Sequence, residues 1–226
     1  MDVEKIKEQF NNIAIEYDSK RKFIIPCFDD FYKRSVSLLK LHKYKFNNIV
    51  DLGAGTGLLT KEIYDLYSNA QFTLIDISTD MLNVAKQRFK GLDNFKFIEQ
   101  NYFENIPVEK CDFMCSALSI HHLENDEKAK LFKNIYEKLD KNGCFLNLDI
   151  FLAGSKKIDN LYNEWWFNYI EENIKEIEEK NRMIESRKLD RENTIMETLE
   201  LLKKCGFIDV ECIYNFMKFG VIIAMK

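Results

Sequence analysis

Ile49-Val50-Asp51-Leu52-Gly53-Ala54-Gly55-Thr56-Gly57 is the stretch on which the fold turns. Its apolar half extends a short strand, Asn47 to Leu52, and its glycine half leads into a helical pattern beginning at Leu58. Glycine lets the backbone turn sharply there, and without a Cβ a ligand can come close to the chain. The helix that follows presents N–H groups with no intrahelical partner. Alone, such a loop serves a nucleotide, a flavin or a structural turn.

Downstream, strands and helices alternate. Leu58 to Tyr67 reads as helix, Gln71 to Ile75 as strand, Thr79 to Phe89 as helix and Phe95 to Glu99 as strand. Asp112 to Ala117 is a further strand, Asp126 to Leu139 a helix, and Gly143 to Ile150 a fifth strand. This alternation predicts an α/β fold whose parallel sheet carries helices on both faces. Upstream, Val3, Ile6, Phe10, Ile13 and Tyr17 recur at helical spacing. A second helix follows Pro26, burying Phe28, Phe31, Tyr32, Val36, Leu38 and Leu39.

After Ile150 the rhythm breaks. Ser155 to about Glu192 is charge-rich and mostly helical, with Trp165, Trp166 and the ordered pairs Glu171/Lys175 and Glu176/Lys180. A helix near Asn193 to Lys204 then stops at Gly206. Asp209 to Tyr214 and Lys218 to Met225 form a closing hairpin. The expectation is one domain, 1–226, with residues 1–45 as a helical lid and 152–192 as a helical insertion over the active site.

Composition narrows the class. The 226 residues are 46% hydrophobic and 31% charged, which fits a globular chain with a continuous core. A net charge of −4 gives no broad face for a polyanion, so nucleic acid is not the expected partner. Cys27, Cys111, Cys115, Cys144, Cys205 and Cys212 form no Cys-x-x-Cys pair and read as buried thiols of a reducing compartment. No run approaches the roughly 18 apolar residues of a membrane span, and the N-terminus has no secretory pattern, so the default location is cytoplasmic.

Asp76 sharpens the reading of the glycine loop. At the end of the second strand, a carboxylate can accept both hydroxyls of a ribose; otherwise it caps the next helix, a role Ser78 could fill instead. Loop and carboxylate together indicate an adenosine-type ligand, without separating NAD from S-adenosylmethionine.

Val50 to Gly57, followed by Leu74-Ile75-Asp76-Ile77-Ser78 and Met81-Leu82, resembles the signature of class I S-adenosylmethionine-dependent methyltransferases. Ser116-Ala117-Leu118-Ser119-Ile120-His121-His122-Leu123 resembles that family's segment after the fourth strand, and Asn142-Gly143-Cys144-Phe145-Leu146 its turn into the fifth. The resemblance implies a Rossmann-like, seven-stranded, mostly parallel sheet with an antiparallel last strand. It also implies bound S-adenosylmethionine: Gly53, Ala54 and Gly55 against the methionine part, Asp76 on the ribose and Ile77 on the adenine. Asn101 stands where such families often carry an Asp for the adenine amino group, and Tyr102 is either a stacking neighbour or an ordinary loop aromatic. Met81 and Ser116, inside the matching segments, complete the expected cofactor set. Ile15-Glu16-Tyr17-Asp18-Ser19-Lys20-Arg21 is similar to an element of small-molecule methyltransferases that closes over the cofactor with Tyr17 and Arg21 near its carboxylate.

His121 and His122 are the candidate catalytic residues, since a neutral imidazole could take a proton from the acceptor as the methyl moves. No metal set is expected, although one histidine could join a carboxylate such as Asp149 to hold an ion. The bland alternative makes them packing and loop-capping residues. Trp165 and Trp166 either wall a pocket or anchor their helix. The implied activity is direct methyl transfer to an O or N nucleophile of a small molecule. Two alternatives stay open. Phe216 to Gly220 and Ala224 to Lys226 are similar to the end of carboxy-S-adenosylmethionine synthase, an enzyme of tRNA wobble-base modification. In that family an Arg of the insertion holds the extra carboxylate, with Arg182 or Arg187 the candidates here. The other alternative is a non-catalytic S-adenosylmethionine-binding module. The sequence is silent on oligomeric state.

Overall fold

Parity along the strands builds the sheet. In β1 (Asn48–Leu52), Ile49 points to one face with Phe113, Leu146 and Val221, while Val50 and Leu52 point to the other with Met114, Phe145 and Ile222. Both faces are therefore apolar, as expected of strands buried on two sides. The computed structural model describes residues 3–41 and 45–226. Residues 1–2 and 42–44 of the expected N-terminal lid lie outside that range.

The remaining strands are β2 (Gln71–Asp76), β3 (Phe95–Glu99), β4 (Cys111–Ala117), β5 (Leu139–Ile150), β6 (Asp209–Phe216) and β7 (Phe219–Met225). They form a seven-stranded sheet in the order β3-β2-β1-β4-β5-β7-β6. β1 to β5 pair in parallel, and β7 runs antiparallel to both β5 and β6. β5 begins earlier than expected: Leu139 pairs with Cys111 but Cys144 with Phe113, so residues 140–143 loop out of register.

One face of the sheet is covered by residues from the N-terminal segment, α4 (Leu58–Tyr64), α5 (Thr79–Arg88) and α7 (Lys156–Asn173). The other is covered by α6 (Asn125–Lys138) and α9 (Ile195–Lys204). Caps fix the helix starts. Ser78 Oγ accepts from Met81 N at 3.1 Å ahead of α5. Ahead of α9, Thr194 Oγ1 accepts from Glu197 N and Glu197 Oε2 from Thr194 N, at 3.2 and 2.7 Å, a reciprocal capping box.

Two expected helices are broken. The first ends at Ile13 as α1 (Val3–Ile13), and a new helix, α2, spans Tyr17–Ile24. The intervening residues include Ile15, which is 94% exposed. The helix after Pro26 is irregular: a π-turn over Asp30–Arg34 passes into α3 (Ser35–Ser37) and a 3-10 turn over Leu38–Leu41. In the insertion, α7 stops at Asn173 and α8 runs Ile177–Ser186, so both Glu/Lys pairs straddle or border that break. Cys111, Cys115 and Cys144 are buried as expected, but Cys205 and Cys212 are half-buried and Cys27, in a left-handed turn (φ 55°) before the π-turn, is exposed. No described helix is long and apolar enough to cross a membrane.

β1 and β4 are neighbours whose connections lead to opposite edges of the sheet. Such a switch point opens a crevice beyond the carboxyl ends of the strands, and ligands of open α/β sheets bind there.

Candidate active site

The glycine loop is pinned to the end of β2. Gly53 N and Ala54 N both donate to Ile75 O, at 2.8 and 3.0 Å. Gly53 has φ +67°, and a Cβ there would sit 2.0 Å from Ser119 Oγ. Tyr102 completes this contact, its hydroxyl 2.8 Å from Ser119 Oγ. Asp76 turns back over the loop: Oδ2 accepts from Gly55 N at 2.7 Å and Oδ1 from Ser78 N at 2.8 Å. Burial raises the Asp76 carboxyl to about 6, against the N–H groups of Ser78, Gly55 and Ile77 that favour its charged form. Behind the loop, burial pushes Asp51 up to about 7, although Thr60 Oγ1 donates to it at 2.5 Å.

A cavity opens over these groups. Tyr17, Gly53, Gly55, Asp76, Ile77, Met81, Asn101 and Tyr102, all expected cofactor contacts, line it together with Ile6 and Phe10 of α1. Asn101 Oδ1 accepts from Phe103 N at 3.2 Å, which leaves one lone pair for a ligand. Three expected residues, Arg21, Ala54 and Ser116, do not reach the cavity. Ser116 is buried on the α6 face, donating to Leu52 O at 2.7 Å, and Ala54 faces the core beneath the loop.

A second cavity adjoins the first, and Phe10, Tyr17, Leu118 and His122 line both. The second holds Arg21, His121, Ile150 and Trp166, with Glu179, Arg182, Arg187 and Asp190 from the insertion. Arg21 is thus on the second cavity rather than the first. Its guanidinium lies 4.1 Å over the Tyr17 ring and donates to the Tyr17 hydroxyl, while its buried Nε has no hydrogen-bond partner. Trp166 both lines the cavity and anchors its helix, donating to Ile24 O at 2.9 Å. Trp165 packs parallel to Tyr169, with ring centres 5.5 Å apart.

This geometry agrees with the comparisons to known proteins. The family model described as a methyltransferase domain matches residues 49–143, which span the glycine loop, Asp76 and the histidine pair. A carboxy-S-adenosyl-L-methionine synthase of Nautilia profundicola is 23% identical over 99% of this chain and 96% of its own. A synthase of the same name from Staphylococcus epidermidis is 26% identical over 94% of this chain and 93% of its own. Among solved structures, the DhpI–SAH complex superposes with a TM-score of 0.66 at 16% identity, covering 98% of this chain and 95% of that one. Human N-acetylserotonin methyltransferase in complex with SAM gives a TM-score of 0.60 at 23% identity over 88% of this chain, which spans only 52% of the human one. Residues 49–143 carry the methyltransferase domain of an S-adenosylmethionine-dependent enzyme.

In this methyltransferase the histidines stand where the first cavity meets the second. His121 Nδ1 is 2.5 Å from Asp149 Oδ1, and His121 N donates to Asp149 Oδ2 at 3.1 Å. His121 Nε2 and His122 Nδ1 both lie 3.4 Å from Asp190 Oδ1. Burial would lower the His121 pKa, but Asp149 and then Asp190 reverse this and raise it to about 10. Burial and the neighbouring His121 charge hold His122 below its usual value. The two imidazoles are therefore electrostatically unlike: the two carboxylates favour the charged form of His121, and His122 is biased towards its neutral form.

Sequence reasoning missed several residues that line or brace the two cavities. Asp190 lies in a charge-rich stretch with no periodicity to mark it. It is placed by its neighbours: Arg191 N donates to His121 O at 2.7 Å, and Lys128 Nζ donates to Arg191 O and, at 2.5 Å, to Asn193 Oδ1. Asp18 sat within a quoted motif but had no assigned role. It accepts from Thr56 Oγ1 at 2.6 Å and from Arg88, tying α2 to the glycine loop. Leu118 adopts φ 51°, a left-handed backbone that is uncommon for such a side chain, and its N donates to Leu148 O at 2.8 Å. That turn carries Ser119 towards the glycine loop.

Proposed function

We propose that this methyltransferase moves the S-adenosylmethionine methyl group directly to a small molecule held in the second cavity. One observation carries the reading: Phe10, Tyr17, Leu118 and His122 are common walls of the two cavities, so an acceptor would meet the cofactor there. The sulfonium is already activated. The protein's task is to align nucleophile, methyl and sulfur and to exclude water, which is worth roughly 7–11 kcal/mol in well-oriented model reactions. Gly53, Gly55, Asp76, Ile77, Met81, Asn101 and Tyr102 hold the cofactor in this reading, with Tyr17 and Arg21 at its methionine end. His121 and His122 meet the acceptor. His122→Ala should lower turnover at least tenfold while calorimetric affinity for S-adenosylhomocysteine changes little. Equal losses in both would make His122 a cofactor-binding residue instead.

A second reading is carboxyl transfer, as in the relatives named carboxy-S-adenosyl-L-methionine synthase. Two observations favour it: those relatives match over nearly their whole length, and Arg182 and Arg187 both line the second cavity. Both guanidiniums are already engaged, Arg182 by Glu179 and Arg187 by Glu192 at 2.7 Å, so neither is free for a new carboxylate without exchange. Incubation with S-adenosylmethionine and prephenate, followed by mass spectrometry of the cofactor, separates the two. No carboxylated cofactor removes the second reading. Formation of S-adenosylhomocysteine with an acceptor panel removes a purely binding role.

A further inference from the structure

We propose that His121 Nε2, His122 Nδ1 and Asp190 Oδ1 are the ligands of a divalent transition-metal ion at the seam between the two cavities. The proposal rests on the reading of these residues as the groups that meet the acceptor. Both imidazole nitrogens lie 3.4 Å from the one carboxylate oxygen, and the three atoms fall within 4.8 Å of one another. Around a tetrahedral ion with bonds of about 2.1 Å, ligand atoms stand about 3.4 Å apart. The spacing is too long for strong hydrogen bonds and fits a shared ion between the atoms.

The surroundings have the form of a built site. Asp149 engages His121 Nδ1 at 2.5 Å and also accepts from the backbone N–H groups of His121 and Ile150, at 3.1 and 3.0 Å. A carboxylate in that position fixes the ring and turns Nε2 outward, where an ion would displace its proton, the usual arrangement behind a metal-ligating histidine. His122 Nδ1 is buried with no hydrogen-bond partner, a costly state that a metal bond would relieve. Both histidines are only 7% exposed, and the loop bearing Asp190 is locked by Lys128, so the ligands need not move far. Two imidazoles and a carboxylate suit Zn, Fe, Co or Mn rather than Ca or Mg.

Three protein ligands leave a coordination position open, and His121, His122 and Asp190 all line the second cavity. The class of acceptor that follows is a molecule presenting a hydroxyl or carboxylate oxygen to the ion.

The test uses the full chain, stripped with a chelator and titrated with CoCl2 under calorimetry and visible spectroscopy. The expected result is one ion per chain with a ligand-field spectrum. Asp190→Ala should abolish that spectrum. Asp149→Asn, which keeps all three ligands, should weaken binding about 10–100-fold. No stoichiometric Co²⁺ binding, or binding by Asp190→Ala as tight as that of the parent, would overturn the proposal. S-adenosylhomocysteine affinity, measured on the same samples, reports folding and keeps the two readings apart. Cofactor binding and turnover without metal would sink the ion alone, whereas metal binding without cofactor affinity would sink the transfer reading.

Discussion

In the cofactor-binding role proposed above, Asp76 would couple binding to pH. Both its oxygens already accept a backbone N–H, from Gly55 and Ser78, and the residue lines the first cavity. Accepting ribose hydroxyls favours the carboxylate, yet burial lifts its pKa to about 6 in the ligand-free protein. Binding must therefore expel a proton below that value. S-adenosylmethionine affinity should be level above pH 6 and fall below it, by at most tenfold per pH unit. Asp76→Asn should flatten this dependence, and Asp76→Ala should cost about 1.5–3 kcal/mol at pH 7.5. Calorimetry across pH 5 to 8 checks both, and a wild-type affinity independent of pH would put the ribose elsewhere. Gly53 is as exacting for a different reason. A Cβ there meets Ser119 and Tyr102 and sits on a positive φ, so Gly53→Ala should lower cofactor affinity more than an exposed Gly154→Ala exchange.

At the scale of elements, the insertion and the N-terminal helices brace one another across the second cavity. Trp166 of α7 donates to Ile24 O at 2.9 Å, and Glu179 of α8 accepts from Lys20 at 2.8 Å. Trp166→Phe keeps most of the packing and leaves the Ile24 carbonyl without that donor. The cost should be about 1 kcal/mol, lowering Tm by roughly 2–4 °C for a chain of this size. An unchanged Tm in differential scanning calorimetry would show that the bond adds nothing. The strands, α4 to α6 and α9 were legible in the sequence because each must bury a face against the sheet, and burial writes a period of 2 or 3.6 into the residues. The breaks at 14–16 and 174–176 were not legible, since the flanking helices bury few residues and their turns follow from what they rest on. The same difference applies to the site. Gly53 and Asp76 lie on the rigid strand–loop–helix frame, whereas Asp190 is brought to the histidines only by contacts of its loop with Lys128 and His121.

For the whole molecule, α1 and α2 roof both cavities, giving Ile6, Phe10 and Tyr17 to the first and Phe10, Ile13, Tyr17, Arg21 and Ile24 to the second. This roof is lightly held. Ile6 is the buried residue of α1, and α2 has none. Polar ties do much of the fastening: Ser78 Oγ to Asn11 at 2.6 Å, Lys7 to Glu99 at 2.8 Å, and Asp18 to Thr56 and Arg88. A segment with few buried apolar contacts opens at lower free energy than the sheet beneath it. With cofactor in the first cavity, as proposed above, entry beneath these helices would couple binding to their closing. S-adenosylhomocysteine at 100 times its Kd stabilises the bound state by about 2.7 kcal/mol, close to 100-fold in an opening equilibrium. Amide hydrogen exchange should therefore slow by up to that factor across residues 3–25 when ligand is added, with a much smaller change in β6, which lies at the far edge of the sheet. Calorimetric binding with no change in exchange over residues 3–25 would mean that cofactor enters by another route and that the helices are a fixed wall rather than a lid.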